Sequence, residues 1–316
     1  MMRAKVHFLN VGWGDAHLIR LPSGTVTLID GGDGSFAPDR DHPLSWMDRQ
    51  GLRRLDWMIL THIHADHLNG LIDIAIRCEV KRAILPYELP QLNFSTEETE
   101  DSSTGSDAGR VSRMLTAYEE LIRLLRKQGT DIRWRSDYAS AGSSVIWEEE
   151  GYTLTHLYPW QGDPLPGLDV LREAVSEDGR TGSERFASLE RFFTLSNDDS
   201  SVYRLTSAEA RSDGVLFGGD QLEAGWERLS RRTDLRSRVW KVPHHGMEDA
   251  FTFRLLSAIE PEFCVIPISR QRAWPLEEHW DRLRERSRAV FHLTGDFLPG
   301  KSVRLADGPI EVEIGE

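Results

Sequence analysis

The sequence predicts an α/β domain with two β-sheets and flanking helices. Three observations point there. Short β-like runs and helices alternate along the 316 residues in two rough halves, each opening with strands and passing to a helix. No internal repeat or obvious linker divides the chain, so residues 1–316 are read as one domain. Four apolar runs end directly on Asp or His, as expected where strand ends of a layered fold converge on one edge.

The elements follow in order. KVHFL (5–9), AHLIRL (16–21) and TVTLID (25–30) are strand candidates, and the turn PSG at 22–24 makes the last two a hairpin. WMILT (57–61) is short and apolar enough for a buried strand; LNGLIDIAIR then has helical spacing, and KRAILP (81–86) returns to strand. STEETEDSSTGSDAG (95–109) is polar, acidic and poor in apolar side chains, so 93–110 is read as a mobile surface loop. VSRMLTAYEELIRLLRKQG (111–129) is the clearest amphipathic helix, closed by Gly129. Strands are expected at 131–135, 143–148 and 152–158, with a helix or two inside 160–196. SVYRLT (201–206) and VLFGGD (215–220) read as paired strands, and RVWKVP (238–243) runs straight into His244, His245 and Gly246. FCVIPI, EEHWDRLRERS and AVFHLT supply β–α–β material, and SVRL with IEVEI a closing hairpin.

Composition narrows the function. Apolar residues make up 39%, enough for a sizeable core without covalent staples. The two cysteines, Cys78 and Cys264, sit in apolar runs and read as buried thiols, which fits a reducing, cytoplasmic compartment and excludes a Cys-based metal site. MMRAKVHFLNVGWGDAH carries no signal-peptide pattern, and no window is apolar for long enough to span a membrane. The net charge of −13 excludes a general attraction to nucleic acid, so a polyanion would need a local patch or bound cations. The Arg-rich stretches at 231–238 and 270–288 are either such patches or solvated faces.

The chemistry lies at the strand ends. His62, His64, Asp66 and His67 fall within six residues after WMIL; Asp30 ends TVTLI, Asp220 follows VLFGG, and His244 and His245 follow VWKVP. Imidazole and carboxylate suit zinc, manganese or iron, and no thiolate demands zinc. The spacing H-x-H-x-D-H fits neither one helix face nor one strand face. It needs a tight loop, in which His62 and His64 hold one ion and Asp66 and His67 a second. A distant Asp can bridge both, and a further His complete the second. Two ions about 3.5–4 Å apart lower the pKa of a shared water, which is a hydrolytic design.

THIHADH resembles the HxHxDH hallmark of the metallo-β-lactamase superfamily, and LIDGG, LFGGDQ and VPHHG stand where that family carries its other motifs. More closely, FLNVGWGDAHLIRL…LIDGG, ILTHIHADHLNGL, NDDSSVYRL, LFGGD and KVPHHG together resemble the metallo-β-lactamase-like nuclease domain of the competence protein ComEC, in freestanding form. The resemblance implies a four-layer αββα sandwich with two divalent ions, zinc or manganese, at one sheet edge. It implies metal ligation by His62, His64, Asp66, His67, Asp220 and one histidine of the HHG motif, with His244 the choice as the nearer to the strand. Asp30 would orient a ligand or water. His245 would then face the scissile phosphate and can protonate the leaving oxygen, so Asp66 and His245 are the catalytic candidates. Asp15 in GWGDAH matches a family position near the site and is open to a structural or a functional reading.

Two departures from the family pattern stand out. Most of its hydrolases give the first ion a third His, but the only histidine between His67 and Asp220 is His156, on a strand where ComEC-like domains carry a non-ligating His. Asn197, Asp198 and Asp199 occupy the motif's place instead. An oxygen donor, Asp199 by preference, would replace the imidazole and admit magnesium. The late segment SRQRAWP carries Trp274 where relatives have His; it or the nearby arginines can stack on a base, or Trp274 simply packs. The expectation is thus a dinuclear phosphodiesterase or nuclease acting on DNA or RNA through a metal-bridging hydroxide, of a kind able to serve bacterial defence. The acidic chain suggests short or single-stranded substrates, or a protein partner that delivers or regulates, with no membrane involved. A small-molecule hydrolase (lactone, thioester or cyclic nucleotide) and a metal-binding partner module without catalysis are the alternatives.

Overall fold

The computed structural model describes residues 3–89, 107–175, 182–209, 213–301, 303–305 and 310–314. The strands are β1 (Ala4–Phe8), β2 (His17–Arg20), β3 (Val26–Ile29), β4 (Arg54–Ile59), β5 (Glu79–Leu85), β6 (Asp131–Trp134), β7 (Val145–Glu149), β8 (Tyr152–Tyr158), β9 (Val202–Ser207), β10 (Val215–Phe217), β11 (Val239–Lys241), β12 (Phe263–Ile266), β13 (Val290–Leu293), β14 (Val303–Leu305) and β15 (Ile310–Ile314). Between them lie helices α1 (Pro43–Arg49), α2 (Ala65–Arg77), α3 (Asp107–Lys127), α4 (Pro166–Val175), α5 (Gly182–Leu195), α6 (Glu223–Ser230), α7 (Phe253–Ile259), α8 (Arg270–Ala273) and α9 (Glu277–Arg284).

One sheet runs β14-β15-β1-β2-β3-β4-β5-β6 and the other β13-β12-β11-β10-β9-β8-β7. Alternation along each strand sorts its side chains into two cores. Val6, Phe8, Ile29, Trp57 and Ile59 face Leu154, Tyr203, Phe217 and Val265 of the opposite sheet. Leu28, Met58 and Ala83, opposite one another in the parallel register of β3, β4 and β5, point the other way, against α2, α3, α4 and α5. Leu216, Trp240 and Cys264 pack outward on α6, α7 and α9. The order is therefore helix, sheet, sheet, helix, a mixed α/β architecture with two facing sheets.

The elements read from sequence are present within one to three residues, with two revisions. Helix α3 begins at Asp107, so 107–110 of the stretch read as a loop are helical; 93–106 lie outside the described residues. The segment 160–196 becomes α4 and α5, which join two adjacent strands of the second sheet yet pack on the helix layer of the first. They bring Phe193 over the end of β4. The short helices α1, α6 and α7 had no sequence reading; at 7 or 8 residues they offer about two turns of periodicity.

Strands β3–β6 are parallel neighbours, as are β10–β13. Their carboxyl ends meet at one edge, the place where open α/β sheets bind ligands. Two glycines let the loops close there. A Cβ on Gly70 would lie 1.9 Å from the Gly31 carbonyl oxygen, and one on Gly14, at φ 129°, 2.2 Å from that of Asp66.

Candidate metal centre

The loop after β4 carries Thr61 to His64 and passes into α2, whose first turn holds Asp66 and His67. The chain after β3 leaves Asp30 in the left-handed region (φ 58°), where its carboxylate accepts from the Thr61 amide and hydroxyl, both at 2.8 Å. Asp30 also holds the His67 ring, Oδ2 to Nδ1 at 2.9 Å, which turns Nε2 of that ring toward Asp220 at 3.2 Å. Asp220 reaches the edge from β10 and its amide donates to Ser200 Oγ at 2.9 Å. His245 arrives from β11; its Nδ1 is fixed by the Pro267 carbonyl at 2.9 Å, and its Nε2 lies 3.2 Å from Asp66 and 3.3 Å from Asp220.

Two donor groups share Asp220. One is His62, His64 and Asp220; the other is Asp66, His67, Asp220 and His245; in each, one ligand atom per residue lies within 4.8 Å of the others. With its Nε2 engaged by the Phe193 carbonyl (2.9 Å) and Ser196 Oγ (2.6 Å), the His64 ring has Nδ1 left for a cation. The donors fit divalent ions on a physical test: His62 Nε2, His67 Nε2 and Asp220 Oδ1 are buried without a hydrogen-bond partner. Such orphans are costly in a finished core and are what a cation would satisfy.

Charge tells the same story. Asp15, Asp30, Asp66 and Asp220 converge on this edge, and the nearby fixed cation is Lys241, fully buried, paired with Asp15 and donating to the Gly219 carbonyl at 2.7 Å. Burial should drive the Asp15 carboxyl up, but Lys241, His67 and His17 hold it at about 2. Burial likewise opposes protonation of His245, yet Asp220 and Asp66 push it up to about 9. His67 rises well above the ordinary imidazole value, burial being outweighed by Asp220, Asp15 and Asp30. His62, by contrast, is driven well down by burial and by the neighbouring imidazoles. The edge therefore attracts positive charge beyond Lys241. A third carboxylate–imidazole group, Asp15, Asp30 and His67, already has the Lys241 ammonium against Asp15 and offers less to an ion.

Three sequence expectations are revised. His244, expected among the donors, is not in either group; its Nδ1 meets Asp249 at 2.8 Å and its Nε2 the Asn197 amide at 3.2 Å. His245 occupies the position instead. The reason is the backbone: His244 and His245 are both left-handed (φ 46° and 51°), so strand alternation stops at Lys241 and the second imidazole is the one turned inward. Asp199 is also outside the groups; it accepts from the Gly167 and Leu168 amides at 3.1 and 2.7 Å and caps the start of α4, with burial raising its carboxyl to about 6. The SNDDS turn instead sends Ser196 to His64 and Ser200 to His62 and Asp220. Trp274 is 78% exposed and lines no part of the cavity, whereas Trp13 and Arg272 do. His156, on β8, donates from Nε2 to the Pro159 carbonyl (2.8 Å) and lies tilted beside the Tyr203 ring, away from both groups. Lys241 was read only as a strand residue; a lysine inside the apolar run VWKV was the available signal.

The sequence model of the metallo-beta-lactamase superfamily matches residues 10–172, just over half of the 316-residue chain. The chain belongs to the metallo-beta-lactamase superfamily. Members of this superfamily are mostly metal-dependent hydrolases. Among solved structures, the chain is similar to a diphosphatase of the PhnP family (14% identity, TM-score 0.43, 96% of this chain and 86% of that one). It is also similar to the metallo-beta-lactamase fold protein YhfI from Bacillus subtilis (8% identity, TM-score 0.46, 91% and 96%). A third likeness is Zn2+-bound PqqB from Methylobacterium extorquens (11% identity, TM-score 0.46, 92% and 87%). A comparison with curated proteins gives no match. None of the described helices of this superfamily member is long and apolar enough to cross a membrane.

Proposed function

We propose that the protein is a metal-dependent phosphodiesterase acting on nucleic acid. The observation that carries this reading is the cavity above the donor groups. It measures about 920 Å³ and is lined by Arg40, Arg110, Arg113 and Arg272 together with Trp13, Phe193, His64, Asp66, Asp220 and His245. In a chain of net charge −13, arginines gathered on a cavity that reaches the donors favour an anionic substrate. Guanidinium forks match phosphate oxygens, and the aromatic rings suit unstacked bases. The resemblance of five ordered motifs to the ComEC nuclease domain supports the same substrate class.

When bound, divalent ions supply Lewis acidity, lowering the pKa of water and countering the charge that builds on phosphate oxygens. The chain's own residues do the rest. Asp30 and the Pro267 carbonyl fix the rings of His67 and His245, which keeps their free nitrogens aimed at Asp220. Phe193 packs on His64 (ring centroids 5.0 Å), and its carbonyl accepts from that ring's Nε2. His244, half-buried, lines the cavity with its ring fixed on both sides, Nδ1 donating to Asp249 and Nε2 accepting from the Asn197 amide.

The test is cleavage of end-labelled single- and double-stranded DNA and RNA in manganese, magnesium or zinc, with Asp220→Ala alongside. Cleavage by the wild type alone is the expected result. A metal-loaded wild type that leaves every polymer intact while hydrolysing a lactone or thioester would replace this reading with a small-molecule hydrolase.

A further inference from the structure

We propose that Arg272 grips a phosphate of the substrate next to the metal centre, and that Trp13, packed between Arg272 and His245, holds it there. The proposal rests on the phosphodiesterase reading and names the residue that recognises the charged diester. The Arg272 Cζ lies 4.5 Å from the Trp13 ring centroid, and the Trp13 ring centroid 4.4 Å from that of His245. His245 in turn reaches Asp66 and Asp220 at 3.2 and 3.3 Å. Three contacts thus link an exposed guanidinium to the donor cluster.

The charge of Arg272 is what singles it out. Arg40 on the same cavity pairs with Asp33 at 3.1 Å, and Arg270, two residues earlier, pairs with Asp296 at 3.1 Å. Among the described residues no carboxylate pairs with Arg272, although the cavity floor is carboxylate-rich and the whole chain is acidic. Stacking uses the flat face of a guanidinium and leaves its N–H edge for a bidentate contact with two phosphate oxygens.

The stack is anchored on both sides. Trp13 sits between Gly12 (φ 83°) and Gly14 (φ 129°), and the Gly14 backbone lies against Asp66 so closely that no side chain fits. Arg272 follows β12 after the turn Pro267–Ser269, the turn whose Pro267 carbonyl orients His245. Gly295 packs on that turn, with room for no Cβ: one would stand 2.5 Å from the Ile268 carbonyl oxygen. A neutral ester offers such a fork one uncharged carbonyl oxygen, whereas a phosphodiester offers two non-bridging oxygens that share a negative charge.

The experiment is binding of a short, fluorescein-labelled, cleavage-resistant phosphorothioate DNA strand to metal-loaded protein, followed by anisotropy over a range of salt. Arg272→Ala is expected to weaken binding about tenfold and to reduce the salt slope by about 0.7, the loss of one contact to a single strand. Arg272→Lys should restore the slope but not the affinity, since it keeps the charge and loses the fork. Trp13→Leu should weaken binding with the metal content unchanged. An Arg272→Ala variant with unchanged affinity and slope overturns the clamp and leaves the phosphodiesterase reading standing. A wild type that does not bind the strand overturns that reading, and the clamp with it.

Discussion

Phe217 and Asp220 are three residues apart on the same strand exit, yet they live in opposite environments. Phe217 is sealed between the sheets with Phe8, Ile59 and Tyr203, its ring also meeting that of His17 at 5.8 Å. Asp220 is equally buried but faces His62, His67, His245 and Lys241, and keeps one oxygen without a hydrogen-bond partner. The inter-sheet core is held mainly by apolar contact, with only isolated polar atoms such as the Tyr203 hydroxyl and the Trp147 indole nitrogen left without a hydrogen-bond partner. At the edge, by contrast, buried carboxylates and imidazoles are clustered, and His62, His67 and Asp220 each keep an atom without a hydrogen-bond partner. The concentration of buried charge at one place, a few residues from an apolar core, marks the working part.

Breaking the comparison at its two poles gives the largest effects. Asp220→Ala should reduce metal content and any hydrolysis to background, because both donor groups lose their shared member. Phe217→Ala should cost about 3–5 kcal/mol of stability in urea unfolding while the folded fraction keeps its metal content. If the two variants exchanged phenotypes, the division between core and edge would be wrong. Lys241→Met tests the edge's internal compensation. Removing the ammonium leaves the buried Asp15 with imidazoles alone for partners, at a cost of about 3–5 kcal/mol in the metal-free protein, and excess divalent metal should recover part of that loss. Asp30→Asn disturbs the His67 ring that Asp30 orients and the two Thr61 contacts beside it. It should weaken metal binding by about 10- to 100-fold by calorimetric titration, with the fold retained.

The smallest effect sharpens the core side. His156 is a buried imidazole whose protonation burial pushes down to about 3, from an ordinary 6.5. Between those values the unfolded chain binds the proton and the folded one does not, so stability is full above pH 6.5 and falls as pH drops toward 3. His156→Gln should remove up to about 1.4 kcal/mol per pH unit from that slope, read as the difference between the two proteins' unfolding curves at several pH values. An identical slope in both would mean that His156 is not held neutral by its surroundings.

How much of this was legible in the sequence divides along the same line. The strands, their ends, and the polar residues on those ends were readable because period-two runs stop abruptly at Asp30, Thr61, Asp220 and His244. The H-x-H-x-D-H spacing announced a shared cluster, and the structure gathers those four residues with Asp220. The choice between His244 and His245 was not readable, since it depends on two consecutive left-handed residues that no propensity predicts at His-His. The place of Asp199 depended on α4, a helix that the sequence located only within a long mixed segment; once α4 is there, its first amides claim the carboxylate. Trp13 and Arg272 lie far apart in the chain and meet only because β12 ends beside the loop after β1.

The central claim is that the strand-end edge holds divalent ions through Asp220, with His245 rather than His244 as the donor from the HHG turn. The most direct test is the metal content of dialysed wild type, His244→Ala and His245→Ala by elemental analysis. The account predicts about two ions in the wild type and in His244→Ala, and the loss of one in His245→Ala. Full metal content in His245→Ala together with a loss in His244→Ala would contradict it.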